Sequence, residues 1–108
     1  MKGLVLAGVV FAGVAAWPGT DPAPPKRHVV EIHGMAFHPA VIEIHRGDTV
    51  VWVNRDFVPH TATGSRATRW STGRLLQEQS GRYVAQRSGE VPYFCELHPP
   101  MQGRLVVR

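Results

Sequence analysis

The chain has 108 residues, twelve basic and eight acidic, with a formal net charge of +4 and one cysteine. That length holds one domain, and a single cysteine excludes an internal disulfide. Hydrophobic content of 44% with 19% charged residues excludes a disordered chain, and eleven glycines with nine prolines favour a turn-rich, all-β chain over a helical one. A pI near 10 points to acidic partners, but the basic residues are scattered singly, so nucleic acid is not an expected partner.

Residues 1–16 read as an export signal. Lys2 is a minimal positive start, and Val14-Ala15-Ala16 offers small residues where a signal peptidase cuts. The apolar run is about 14 residues, whereas a spanning helix needs roughly 20. If it stays uncleaved, it would be an N-terminal anchor and the chain would meet a membrane. Residues 17–27 are a Pro-rich linker (WPGTDPAPP at its start). Residues 28–108 are then the working domain, periplasmic or otherwise exported, and expected as a monomer.

Residues 29–33 alternate as a first strand, with Val30 and Ile32 on one face. Residues 34–39 read as a loop and 41–45 as a second strand. Arg46-Gly47-Asp48 is a turn signal, and residues 49–54 are rich in Val and Trp, a strand composition. Residues 54–64 read as a polar loop broken by Pro59. Residues 65–80 carry no clear pattern, though Leu75 and Leu76 suggest a short strand or a helical turn. Residues 82–87 alternate, with Tyr83 and Ala85 on one face. A strand runs from Gly89 through Val91, Tyr93 and Cys95, and residues 103–107 form the last. Pro92 cannot donate to a ladder, so it should sit at an edge or a bulge. Seven or eight short strands bounded by turns predict a β-sandwich.

Cys95, His98 and Met101 bring a thiolate, an imidazole and a thioether into seven residues of a turn-forming loop. One Cys, two His and a weak axial Met are the donors that suit a blue-copper electron-transfer site. The second imidazole must come from elsewhere, and His60, after the polar loop, is the best candidate. Thr61 and Thr63 could supply hydrogen bonds beside it. In an exported chain, metal ligation also accounts for the lone cysteine.

With these residues in view, the chain resembles the cupredoxins, in particular the plastocyanin, pseudoazurin and amicyanin group. The resemblance covers residues 29–108. It rests on Ala36-Phe37-His38-Pro39, on Gly47-Asp48-Thr49-Val50-Val51-Trp52-Val53-Asn54, on His60, and on Tyr93-Phe94-Cys95 through Gly103. Two residues between Cys95 and His98, and two between His98 and Met101, are most similar to the amicyanin loop. The resemblance implies a Greek-key sandwich with one type 1 copper ion at one end, held by His60, Cys95, His98 and Met101. It implies that Asn54 stiffens the Cys loop by hydrogen bonding. It further implies that His98 is the electron port, within an apolar patch formed by Leu97, Pro99 and Pro100 with Met35 and Pro59.

The function expected is single-electron transfer between exported redox proteins, such as a dehydrogenase or a cytochrome, with an acidic docking surface on the partner. No acid–base pair or nucleophile suggests an enzyme. The chief alternative is an exported copper carrier or storage protein using the same residues, or His33, Met35 and His38.

Overall fold

The computed structural model describes residues 24–108, together with Gly3 and Gly8. Apart from those two glycines, the expected export segment and residues 17–23 of the linker lie outside the described residues. Eight strands follow in order: β1 (Arg27–His33), β2 (Ala36–His38), β3 (Val41–Ile44), β4 (Thr49–Asn54), β5 (Thr63–Gly64), β6 (Ser80–Val84), β7 (Gly89–Phe94) and β8 (Gln102–Val107). They form two four-stranded sheets, ordered β2-β1-β4-β6 and β3-β8-β7-β5. This is the all-β sandwich that the strand spacing predicts.

Each sheet holds one parallel pair, β1 with β4 and β3 with β8. The alternation read in the sequence sets which faces meet. Val30 and Ile32 of β1, Val50 and Trp52 of β4, Val91 and Tyr93 of β7, and Leu105 and Val107 of β8 are all buried between the sheets. Each such aliphatic side chain contributes about 1.5–3 kcal/mol by leaving water.

Three departures from the sequence reading matter. Residues 36–38 form a strand, not a loop. Gly34 and Met35 both take positive φ, 60° and 59°, which closes a two-residue hairpin and pairs Ile32 with Phe37. Leu75 and Leu76 form no strand. Leu75 makes an isolated bridge to His60 and is buried, whereas Leu76 is exposed. Pro92 lies in β7 between two neighbouring strands, yet its polar side faces β5 just beyond its last residue, where Ser65 N–H donates to the Pro92 carbonyl. The missing donor thus falls where the ladder has already ended.

The far end of the sandwich from Asn54 is closed by Asp48. Its carboxylate accepts hydrogen bonds from the Lys26 and His45 backbone N–H groups and pairs with His28 Nε2 at 2.8 Å. These bonds, first from Lys26 and His45 and then from His28, hold the carboxyl well below the usual carboxylate range. A depressed folded-state pKa gives stability that is fully present above the unfolded value of about 3.9 and is lost as pH falls below it. Chemical denaturation from pH 7 to 2 should therefore show a fall in stability below about pH 4. Asp48→Ala should weaken that fall and cost about 1 kcal/mol or more at neutral pH, because it removes three part-buried hydrogen bonds to a charged acceptor.

Candidate metal centre

Three segments build one end of the sandwich: the β1–β2 hairpin, the chain from Asn54 to Thr61, and the loop from Cys95 to Met101. Cys95 follows directly on β7, which carries it into the interior, where it is fully buried and free of any disulfide. The loop then folds back on itself. His98 N–H donates to the Cys95 carbonyl (3.3 Å), Met101 N–H to the His98 carbonyl (2.9 Å), and Cys95 N–H to the Met101 carbonyl (3.0 Å). The spacing of Cys95, His98 and Met101 is therefore that of two tight backbone turns. Met101 is buried, and β8 starts immediately after it.

The second imidazole arrives as the sequence expects. His60 is fully buried and is clamped by backbone bonds in both directions with Leu75, at 3.1 and 2.7 Å. Its Nδ1 lies 3.8 Å from Cys95 Sγ, and His98 Nδ1 lies 3.7 Å from the same sulfur. The three donor atoms lie within 4.8 Å of one another. Among the described residues this is the only cluster of three or more His, Cys, Asp or Glu donors with that proximity.

His33 and His38 behave differently. Their rings stack with centroids 3.8 Å apart, and His38 Nε2 is engaged with the His33 carbonyl. Stacked rings do not aim their lone pairs at one point, so the alternative copper site at His33, Met35 and His38 gains no support.

Asp56, which the sequence reading passed over, orients His60. Its carboxylate bonds His60 Nε2 at 2.8 Å and accepts the backbone N–H groups of Gly34 (2.8 Å) and Met35 (3.0 Å). A proton on Nε2 leaves Nδ1 with its lone pair turned to the sulfur. Burial pushes the Asp56 carboxyl up, but the bonds from Met35, His60 and Gly34 outweigh it and the net shift is downward. The available signal was an acid four residues before the histidine, a spacing too common to single out without the hairpin that meets it.

Asn54 does not do what the resemblance implies. Its Nδ2 donates to the carbonyls of Val58 (2.8 Å) and Leu75 (2.9 Å), and its Oδ1 accepts from Asp56 N–H (2.9 Å). All three bonds stiffen the approach to His60, and none reaches the Cys loop. The reason is reach: Asn54 ends β4, and its short side chain spans only the turn that follows and the Leu75 carbonyl, which also accepts His60 N–H. The link to the Cys loop is made by Thr61 instead. Its N–H points at Cys95 Sγ (3.4 Å), and its hydroxyl accepts Glu96 N–H (2.9 Å). Thr61, Thr63 and Ser71 form a hydroxyl chain at 2.9 Å steps, as the two threonines suggested.

The donor set fits a soft metal. With about 2.3 Å to sulfur, about 2.0–2.1 Å to nitrogen and about 120° between them, a sulfur and a nitrogen stand about 3.7–3.8 Å apart. The two observed separations match that trigonal value. A thiolate and two imidazoles in one plane, with a thioether in the same loop, are the donors copper accepts in both oxidation states.

No protein-family model matches the chain. Plastocyanin from the chloroplast of Tetradesmus obliquus is 30% identical over 114 residues, covering 94% of this chain and 78% of that protein. The chain belongs to the cupredoxin family, in its plastocyanin and amicyanin group. Amicyanin from Paracoccus denitrificans is 31% identical over 83 residues, 73% of this chain. The match spans 63% of that amicyanin's length. Among solved structures, a methionine variant of amicyanin with Cu(I) superposes with a TM-score of 0.72 at 27% identity, covering 76% of this chain and 82% of its own. A second Cu(I) methionine variant gives 0.73, covering 80% and 86%.

In this cupredoxin the weight placed on Asp56 can be measured. Asp56→Asn should lower metal affinity about 10–100-fold, the usual cost of losing a partner that orients a ligand. Competition titration against a chelator of known strength would read it. Asn54→Ala should instead act on stability. It removes the bonds to the Val58 and Leu75 carbonyls and the acceptor for Asp56 N–H, and should cost about 1–3 kcal/mol in denaturant unfolding.

Proposed function

We propose that this protein is a type 1 copper electron carrier, with His60, Cys95, His98 and Met101 as ligands. The observation that carries the reading is the buried thiolate standing 3.8 and 3.7 Å from two inward-facing imidazole nitrogens. When bound, copper would supply the one-electron couple, Cu(II) to Cu(I). The chain supplies the rest. The Asp56 bond fixes the His60 tautomer, the Thr61 N–H stabilises charge on the sulfur, and Leu75 and Asn54 keep water and motion out of the His60 side. A site whose donors are already spaced for the metal changes little between oxidation states, which is what rapid transfer needs.

The same arrangement favours carriage over catalysis. With four protein donors assigned to the metal, no position is left for a substrate. It also favours transfer over storage, because His98 is only half-buried while His60 and Cys95 are sealed. Electrons would enter or leave through His98. Of the residues we assign to the patch around it, Leu97, Pro99, Pro100 and Met35 are exposed and Pro59 is half-buried. Phe57, 89% exposed in the loop leading to His60, is a further apolar residue that we assign to this surface and that was not singled out in the sequence. Such a surface suits brief docking with redox proteins in an exported compartment, and the positive net charge suits acidic ones.

Copper titration with a visible spectrum tests the site. The Cu(II) protein should be intensely coloured, and Cys95→Ser should abolish that band while leaving the sandwich folded. A protein that binds only Cu(I) and stays colourless would point to the carrier reading. The docking surface is tested by Leu97→Glu and Phe57→Glu. Each should slow electron self-exchange by about tenfold or more through like-charge repulsion between the facing patches. The absorption spectrum should not change.

A further inference from the structure

The end of the sandwich opposite the metal centre is a basic surface. Three segments meet there. Lys26 and Arg27 lie at the start of β1, Arg46 in the turn before β4, and Arg87 in the turn between β6 and β7. Backbone bonds tie these segments together. Thr49 N–H donates to the Lys26 carbonyl (2.9 Å), Gly47 N–H to the Ala85 carbonyl (2.7 Å), and Ala85 N–H to the Asp48 carbonyl (2.9 Å). Beside them, Arg82 of β6 joins Lys26 and Arg27 in lining a cleft of about 280 Å³, together with Pro25, Thr49 and Val51. No acid lines that cleft.

All five cations are exposed. Among the described residues none of them has a side-chain or terminal carboxylate within ion-pair distance, whereas Arg55, Arg104 and Arg108 do. The acids at this end are already engaged. Asp48 is buried in its own network, Glu43 pairs with Arg108, and Glu90 reaches Arg104 at 3.8 Å. Like charges gathered at one end of a small domain repel one another, so the arrangement calls for an anionic counterpart.

The path of the chain points to the kind of counterpart. The chain enters the domain at this end, where Pro25 lines the cleft and Lys26 N–H is held by Asp48 at 2.8 Å. Residues 17–23 are all that separate Pro24 from the apolar run ending at Ala16. Even fully extended, that connection spans about 25 Å. The apolar run is therefore tethered close to the basic end, and so is Trp17, a residue type favoured at membrane–water boundaries. A bilayer takes both features together, acyl chains receiving apolar residues and anionic headgroups receiving cations. A soluble acidic protein accounts only for the second.

We propose that this end of the domain docks on an anionic lipid surface. Lys26, Arg27, Arg46, Arg82 and Arg87 meet the headgroup phosphates, and one phosphate seats in the cleft at Lys26, Arg27 and Arg82. The strands then set the orientation. β1 runs from Arg27 at this end to His33 at the other, and β7 runs from Gly89 to Phe94, just before Cys95. The six residues of β7 span about 17 Å. The docked domain thus leaves the His98 end facing solution, where a soluble partner can reach it. The docking needs no metal, so it stands apart from the copper reading.

Two measurements on the full-length chain, made without added copper, test the proposal. The first is co-sedimentation with lipid vesicles. Phosphatidylglycerol-containing vesicles should bind the chain and release it as salt rises, whereas pure phosphatidylcholine vesicles should bind it far more weakly. Equal and salt-independent binding to both would mean that the apolar run acts alone, and overturns the docking face. Arg46→Gln, Arg82→Gln and Arg87→Gln together should weaken binding to the anionic vesicles about a hundredfold, near fivefold for each cation removed. Arg66→Gln, Arg69→Gln and Arg74→Gln remove the same charge from the segment between β5 and β6 and should retain most of the binding. All six side chains are exposed, so both variants should fold. Equal losses in the two variants would mean that net charge alone counts, which overturns the proposal, as does binding to neither lipid. The second measurement locates the face. A gadolinium-bearing lipid should broaden backbone NMR signals most at residues 25–27, 46–47 and 86–88. Strongest broadening at residues 96–100 would put the apolar patch on the bilayer instead and overturn it.

Discussion

The structure depends on one constraint: a thiolate and two imidazole nitrogens must stand at fixed separations inside a protein interior. Each is a polar group that burial penalises unless it is engaged. The fold meets this by tying the two sealed donors, His60 and Cys95, to fixed partners. His60 is held through its Nε2 by Asp56 and through its backbone by Leu75. Cys95 receives the Thr61 N–H, and its loop closes on its own carbonyls. The donors therefore have one arrangement available, and their free lone pairs share one small volume.

The sandwich supplies these ties from separate parts of the chain. Asn54 brings β4 to its end and turns the chain toward His60. The β1–β2 hairpin, closed by Gly34 and Met35, turns two backbone N–H groups toward Asp56. β7 delivers Cys95, and β8 begins as soon as Met101 has closed the loop. The Asp48 network pins the opposite end, so the sheets are fixed at both ends of their stack. Rigidity at the donor end thus rests on ordinary backbone and carboxylate hydrogen bonds.

The interior between the sheets is built around a group of aromatic rings. Trp52 and Tyr93 fill its centre, and Trp70 reaches them from a segment without regular strand structure. Gly64 and Gly103 lie against these rings because any side chain there would collide with them. The residual cost is clearest at Trp70 Nε1, buried without a hydrogen-bond partner.

The sequence by itself determined the class of fold and the four candidate donors. Strand alternation is a local property, and Val30, Ile32, Trp52, Tyr93 and Leu105 face inward as their positions require. The Cys95, His98 and Met101 spacing is local too, because two backbone turns set it. His60 was legible by elimination and by its place after a strand. Only the tertiary structure decided what holds it. Asp56 acts through a hairpin more than twenty residues away in sequence, Asn54 turned out to brace the His60 loop instead of the Cys loop, and the ring contacts from Tyr93 through Trp52 and Trp70 to Tyr83 join four separate segments. Side-chain type and spacing report what a residue can bind. Which partner it meets depends on how the sheets stack, and that is fixed by the packing of the whole chain.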